Sequence, residues 1–365
     1  MNRESHILIK NVYYMLSYAY TVLRHPYYEE ITGESFEHIH SLFAAILAKG
    51  IGQQLKHGLY RTYVSRQENM TVMRGKINLP ETMQNQIAHK RTLVCTFDDF
   101  SENNQLNQIL KTTAILLIYH KDVDVAQKYE LKKVLLYFSA VDTLDPYTVR
   151  WQSIRFQRDN QTYRMLIGIC RFVIEGMLLT TERGAYQLAS FVDEERMCRL
   201  YEKFILEYYR KEYPKLSVSA AQIPWVLDDD SHALLPVMQS DITLARGNTV
   251  LIIDAKYYQH TMQMRYDKQT LHSANLYQIF TYVKNKDALF ADEPHTVSGM
   301  LLYAKTDEEI QPDQTYQMSG NRISVKTLNL NRPFPEIAAH LNAIVAEHFA
   351  IGKDGFTTIH ASANG

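Results

Sequence analysis

The amino-acid sequence predicts a mixed α/β (α+β) protein of two domains, and three observations carry that expectation. Residues 240–258 form an apolar, alternating run that turns at Gly247-Asn248, the pattern of a β-hairpin. Helical periodicity flanks this run at 193–213 and 269–284, and another strand pattern follows at 297–303. The third observation is charge. Residues 1–185 carry 22 Lys and Arg against 18 Asp and Glu, whereas residues 186–365 carry 17 against 22. Domains are therefore expected at 1–185 and 186–365, with Gly184 in the boundary region.

The hairpin holds the first candidate chemistry. Side chains alternate along a strand, so Val250, Ile252, Asp254 and Lys256 share one face. With the turn at 247 and 248, Asp241 falls directly opposite Asp254. Like charges facing each other across a ladder are destabilising unless something lies between them. A divalent cation with oxygen ligands would answer that, with Lys256 pointing the same way. A solvated polar pair on an edge strand is the simpler alternative. Against it, Val250-Leu251-Ile252-Ile253 is continuous and apolar, as in a strand buried on both faces.

The remaining elements follow in order. An apolar helix is expected over 11–24 and a second from Ser35 through Leu47. The period then changes, with strands at 60–64 and 70–77 around a polar turn. A short helix at 80–89, a strand at 92–97 and a helix capped by Ser101 come next. Helices at 122–139 and 163–179 complete the first domain. In the second, the helix at 193–213 leads to a strand at 216–226, a turn at 228–230 and the hairpin. After the strand at 297–303, two short strands within 316–328 and a helix at 333–349 close the chain.

Residues 51–91 hold Lys56, Arg61, Arg66, Arg74, Lys76, Lys90 and Arg91 against only Glu68 and Glu81. This is either a solvated face or a contact surface for nucleic acid or an acidic partner. The acidic second half is poorly suited to grip nucleic acid by bulk charge. Three widely spaced cysteines make no C-x-x-C, which points to a reducing compartment and against a zinc site. No small-residue cleavage site follows the apolar stretch 12–23, and no run approaches the roughly 20 apolar residues of a membrane span. A cytoplasmic protein is expected. The sequence has no G-x-x-x-x-G-K-[ST] loop, G-x-S-x-G elbow or H-E-x-x-H helix, which argues against nucleotide hydrolysis, serine hydrolysis and zincin chemistry in this chain.

Asp241, Asp254-Ala255-Lys256 and the αβββαβ order resemble the PD-(D/E)xK nuclease superfamily, with Ser240 in place of the proline. Gln278-Ile279-Phe280-Thr281-Tyr282 looks like the Q-x-x-x-Y motif of one branch, and Gln278 and Tyr282 share a helix face. Asn11-Val12-Tyr13-Tyr14-Met15-Leu16-Ser17-Tyr18-Ala19, Arg74-Gly75-Lys76-Ile77, Thr96-Phe97-Asp98 and Asn275-Leu276-Tyr277-Gln278 match further blocks, in order, of the McrC family. That resemblance implies the nuclease subunit of a McrBC-type, modified-cytosine-specific restriction system.

It also implies Mg²⁺ held by Asp241 and Asp254, completed by Glu202 or Glu207. Lys256, Gln278 and Tyr282 would share the catalytic site. An AAA+ GTPase ring of the McrB type, expected as a hexamer, would bind GTP and carry the reader of modified double-stranded DNA. The 1–185 half would dock on that ring, with Arg74 and Lys76 in the contact. A non-catalytic regulator of the ring, with a degenerate nuclease fold, is the competing expectation.

Overall fold

The computed structural model describes residues 9–20, 23, 28, 31, 34, 36–157, 160, 162–180, 186–188, 193–229, 233–258, 262–265, 268–290, 293–306, 308 and 311–349. Gly184, Ser35 and Asp230 lie outside the described residues. By contacts the chain divides into Glu37–Ser190 and a second unit made of Met1–Phe36 with Phe191–Gly365. Residues 1–36, expected with the first domain, thus belong with the second. The reason is the first helix, α1 (Ile9–Ala19). Tyr18 packs against Phe204 and Tyr208, with ring centroids 5.6 and 5.2 Å apart. Asn11 Nδ2 donates to the carbonyls of Leu330 and Arg332, each at 2.7 Å.

The inserted unit begins with α2 (Ile39–Leu55), whose apolar residues are buried on almost every side. A three-stranded antiparallel sheet follows, β1 (Thr62–Met70), β2 (Lys76–Ile77) and β3 (Leu93–Ser101), in the order β1-β3-β2. The turn expected within 65–69 is strand instead, because β1 pairs with β3 from Thr62↔Ser101 to Met70↔Leu93. Residues 71–75 make the turn. Gly75 is required there: its φ is +68°, and a Cβ would collide with the Thr96 carbonyl and sit 2.8 Å from Phe97 Cβ.

Helix α3 (Leu79–Ile87) packs beside this sheet, and α4 (Gln105–Tyr119), α5 (Val125–Leu135) and α6 (Tyr163–Met177) pack on and around α2. Ser101 does not cap α4. It ends β3, and Asn104 takes the role by accepting from Asn107 N at 3.3 Å. A short ribbon, β4 (Leu178–Thr180) and β5 (Tyr186–Leu188), follows.

The second unit continues with α7 (Glu194–Glu212), started by Asp193, whose carboxylate accepts from the amides of Glu195 and Arg196. The expected strand at 216–226 is broken into β6 (Ser217–Ser219) and β7 (Gln222–Ile223), since β7 pairs with β8 (Met238–Gln239) in a ribbon of its own. Then come the hairpin strands β9 (Ile242–Arg246) and β10 (Thr249–Lys256). Only Gly247 takes positive φ at the turn (+55°). Asn248 does not, and its Nδ2 donates to Glu293 Oε2 at 2.8 Å instead.

A ribbon of β11 (Met262–Arg265) and β12 (Lys268–Leu271) occupies residues expected to begin the next helix. That helix, α8, therefore starts later and spans Ser273–Ala288. Strands β13 (Thr296–Ala304), β14 (Gln314–Met318) and β15 (Asn321–Leu328) and helix α9 (Phe334–Phe349) complete the unit.

The main sheet runs β14-β15-β13-β10-β9-β6. Its centre, β15-β13-β10, is parallel and both flanks are antiparallel. Helix α7, strands β6, β9 and β10, helix α8 and strand β13 realise the expected αβββαβ order. Val250 and Ile252 join Ile279, Tyr282 and Val283 of α8 in one core, with Leu301, Ile323 and Val325. Alternation sends Leu251, Ile253 and Ala255, each 0% exposed, to the other face, where α7 packs on β10. Two tyrosines of α7 and the residue that follows it secure the helix to α9: Tyr208 and Tyr213 each donate to Asn342 Oδ1 at 2.8 Å, and Tyr209 to the Leu341 carbonyl at 3.1 Å.

Candidate active site

The hairpin ladder ends at Ile242↔Ile253, so the next position on each strand brings Asp241 opposite Asp254. Asp241 Oδ2 accepts from the Ala255 amide at 2.9 Å, which ties the residue before β9 to the end of β10. Asp254 is only 1% exposed, because β10 lies between β9 and β13 with a helix on each face. Neither of its oxygens receives a hydrogen bond among the described residues. Lys256 Nζ stands 2.9 Å from Asp254 Oδ2 as an ion pair, out of line for a hydrogen bond. Burial pushes the Asp254 carboxyl upward, and Asp241 adds to the shift while Lys256 opposes it. Burial pulls Lys256 down, but the charges of Asp254 and Asp241 outweigh it and the pKa is raised.

Helix α8 supplies the next contacts. Lys256 Nζ donates to Gln278 Oε1 at 3.4 Å, and Gln278 Nε2 donates to the Tyr282 hydroxyl at 3.0 Å. The chain Lys256–Gln278–Tyr282 follows from one helical turn between 278 and 282, on the face that packs against β10. Behind it, Asn275 Nδ2 donates to the Tyr303 hydroxyl at 2.9 Å.

Of the two glutamates, Glu202 borders this site. It shares a cleft of about 410 Å³ with Asp241, between α7 and the strand segment entering β9. Burial raises its pKa, and Asp241 raises it further, against Cys198, Lys256 and Arg199. Glu207 points elsewhere and pairs with Arg210 at 2.7 Å. Three neighbours on α7 escaped the sequence reading. Cys198 donates its thiol to Glu202 Oε1 at 3.2 Å, while Arg199 and Lys203 line the same cleft. The i, i+4 pairs 198/202 and 199/203 were the available signal.

Asp241, Asp254 and Glu202 are hard oxygen donors that suit magnesium, and buried Asp254, whose Oδ1 receives no hydrogen bond among the described residues and whose Oδ2 is met by Lys256, is where a cation would add ligand bonds. A second group, His40, His120 and Asp122, brings its ligand atoms within 4.8 Å of one another, a spacing the three carboxylates do not reach. There the imidazoles stack face to face, 3.8 Å apart at 14°, and His120 Nδ1 already accepts from the Asp122 amide. Parallel rings aim their nitrogens alongside each other rather than at a common point.

Arg74 and Lys76 lie in the inserted unit, apart from these residues in the chain. The Arg74 guanidinium covers the Phe97 ring at 4.0 Å and stands 3.7 Å from Asp99. Tyr63, Val72, Met73, Leu79, Met83, Ile87 and Phe100, in the same strands, turn and helix, are all more than half exposed.

A mixed sheet with helices on both faces, carrying paired carboxylates and a lysine on its central hairpin, defines an α+β protein of the nuclease-type fold. In three dimensions it is similar to Thermococcus gammatolerans McrC bound to McrB AAA+ hexamers, with 16% identity and a TM-score of 0.51, over 92% of this chain and 76% of that one. A second structure, the Thermococcus gammatolerans McrBC complex, matches with 17% identity and a TM-score of 0.40, over 57% of this chain and 60% of that one. Residues 3–304 match the family described as McrBC 5-methylcytosine restriction system component, and the chain belongs to that family. It is 27% identical over 347 residues to the type IV methyl-directed restriction enzyme EcoKMcrBC of Escherichia coli K12, covering 94% of this chain and 98% of the relative. No helix among the described residues is long and apolar enough to cross a membrane.

Proposed function

We propose that this chain is the DNA-cleaving subunit of a modification-dependent restriction complex, a cytoplasmic Mg²⁺-dependent endonuclease. An McrB-like AAA+ GTPase ring, whose GTP hydrolysis it stimulates, would deliver modified-cytosine duplex to it. Asp254 carries this reading. A carboxylate that is 1% exposed and faces a second carboxylate is costly to a fold even with the Lys256 ammonium 2.9 Å from one of its oxygens, and it is useful to a metal site.

Asp241 and Asp254 hold the ion, with Glu202 as the third acidic group. When bound, magnesium polarises the scissile phosphate and acidifies the attacking water. Lys256 stabilises the negative charge that develops on the phosphate. Gln278 and Tyr282 keep the lysine aimed along the strand.

The partner follows from the family and from the surface around Arg74 and Lys76, where exposed apolar side chains surround two cations. The same surface is what favours the second reading, a non-catalytic regulator of the ring. Both are tested by assembling the chain with its GTPase and following methylated and unmethylated DNA with GTP and Mg²⁺. Cleavage of methylated DNA that disappears with Asp254→Ala supports the nuclease. GTPase stimulation without cleavage supports the regulator.

A further inference from the structure

The cleft between α7 and the strand segment ahead of β9 is larger than the metal pair needs. One wall carries Asp241 with Ser240, Gln239 and Ala220. The other carries Glu202 with Arg199 and Lys203, the two cations one helical turn apart on the same face. This unit is otherwise acidic. Two cations on the rim of its candidate active site therefore run against the local charge, and Asp241 and Glu202 would repel a phosphate chain that met no counter-charge nearby.

Building on the proposed nuclease function, we propose that Arg199 and Lys203 are positioning residues that grip the DNA backbone beside the cut. The strand would run along α7, with the scissile phosphate at Asp241 and Asp254 and the neighbouring phosphates against Arg199 and Lys203.

The present partner of Arg199 leaves its guanidinium available. Arg199 pairs with Glu195, and the two side chains are 56% and 66% exposed. An exposed i, i+4 pair of this kind contributes little to stability, so a phosphate readily replaces it. Lys203 lies with its ammonium 4.5 Å over the Tyr20 ring, at the solvent margin of the cleft. Arg199 is also close enough to Glu202 for its charge to lower that carboxyl's pKa against burial. One arginine thus spans the acidic site and the outer wall, where a bidentate guanidinium suits a phosphate. Gln239 and Ser240 offer neutral donors opposite.

The test uses the full-length chain without its partner, binding a fluorescent duplex at low ionic strength with salt varied. Arg199→Gln with Lys203→Gln should weaken binding about tenfold and lower the slope of log K against log salt by about 1–2, one step of roughly 0.9 for each lost phosphate contact. Glu195→Gln should do the opposite and tighten binding, because it releases Arg199, and Arg199→Lys should retain most of the affinity. A double variant with wild-type affinity and slope overturns the proposal, whether or not the chain cuts DNA. In the assembled complex the double variant should raise KM for DNA about tenfold with kcat nearly unchanged. A fall in kcat with unchanged KM would also overturn it. Failure of the wild-type complex to cleave would count against the nuclease function and leave the binding result to stand by itself.

Discussion

Lys256 reaches back along its own strand to within 2.9 Å of Asp254, and the carboxylate it meets is the more deeply buried of the two. The pair is asymmetric. Asp254 is held in an environment that disfavours its charge, whereas Lys256 is held in one that favours it. Substituting either residue should therefore end cleavage, but with opposite effects on stability.

Asp254→Asn keeps the shape and removes a buried charge that the fold tolerates poorly. Lys256 still faces Asp241 and Glu202. Cleavage should fall by at least 10²-fold, by analogy with losing one electrostatic group of an active site. Thermal stability should hold or rise by about 2 °C. Activity assays beside calorimetry check both halves, and a strongly destabilised variant would contradict the asymmetry.

Lys256→Ala leaves Asp254 and Asp241 facing each other with no cation. Cleavage should be lost and stability should fall by about 3–5 kcal/mol, the range for breaking a buried pair from one side. Added Mg²⁺ should restore part of the stability. Denaturant unfolding with and without Mg²⁺ measures this.

Gly299 lies where α8 crosses β13. A Cβ there would stand 2.7 Å from Val283 Cγ2 and 2.9 Å from Ile279 Cγ1. Gly299→Ala should cost about 1–3 kcal/mol by overpacking. Because α8 carries Gln278, displacing it should also reduce cleavage while metal-independent properties persist. Thermal melts and single-turnover cleavage test the link.

Arg74 and Lys76 are expected to contact the GTPase. Arg74→Glu with Lys76→Glu should abolish stimulation of the partner without lowering the melting temperature by more than a degree or two, since Arg74's ion pair with Asp99 is long and half exposed. Stimulation at the wild-type level would place the contact elsewhere.

His348 gives a pH dependence unrelated to the site. Burial lowers its pKa to about 4, below the ordinary value of 6.5, and its Nδ1 meets the Ile344 carbonyl at 3.0 Å. A depressed histidine is neutral in the folded state. Its contribution is present above pH 6.5 and is lost as pH falls through 4, by up to about 2–3 kcal/mol. Melting curves between pH 7 and pH 4 should flatten in His348→Gln.

Local chemistry was legible in the sequence where neighbours in the chain are neighbours in space. Gly247 and the alternation of 249–256 specify the hairpin, and with it the meeting of Asp241 and Asp254. The one-turn spacing of Gln278 and Tyr282 foretold their shared face. The choice between Glu202 and Glu207 was not legible, because it depends on how α7 is rotated over the sheet. Cys198, Arg199 and Lys203 were overlooked for the same reason. Residues 268–271 have helix-compatible composition, but a ladder with 262–265 decides their state. The docking of α1 on residues more than 300 positions away carries no local signal at all.

That long-distance docking sets an order of events during synthesis. Asn11 and its partner carbonyl at Leu330 are 319 residues apart. At a ribosomal speed of about 5–20 residues per second, α1 waits roughly 16–64 s for the carbonyls that hold it. The unit at 37–190 has emerged long before then. The sheet bearing Asp241 and Asp254 cannot gain its last parallel strand, β15, until its residues 321–328 have emerged. A nascent chain therefore exposes the unit that carries Arg74 and Lys76 first and gains the last strands around Asp241 and Asp254 at the end of synthesis.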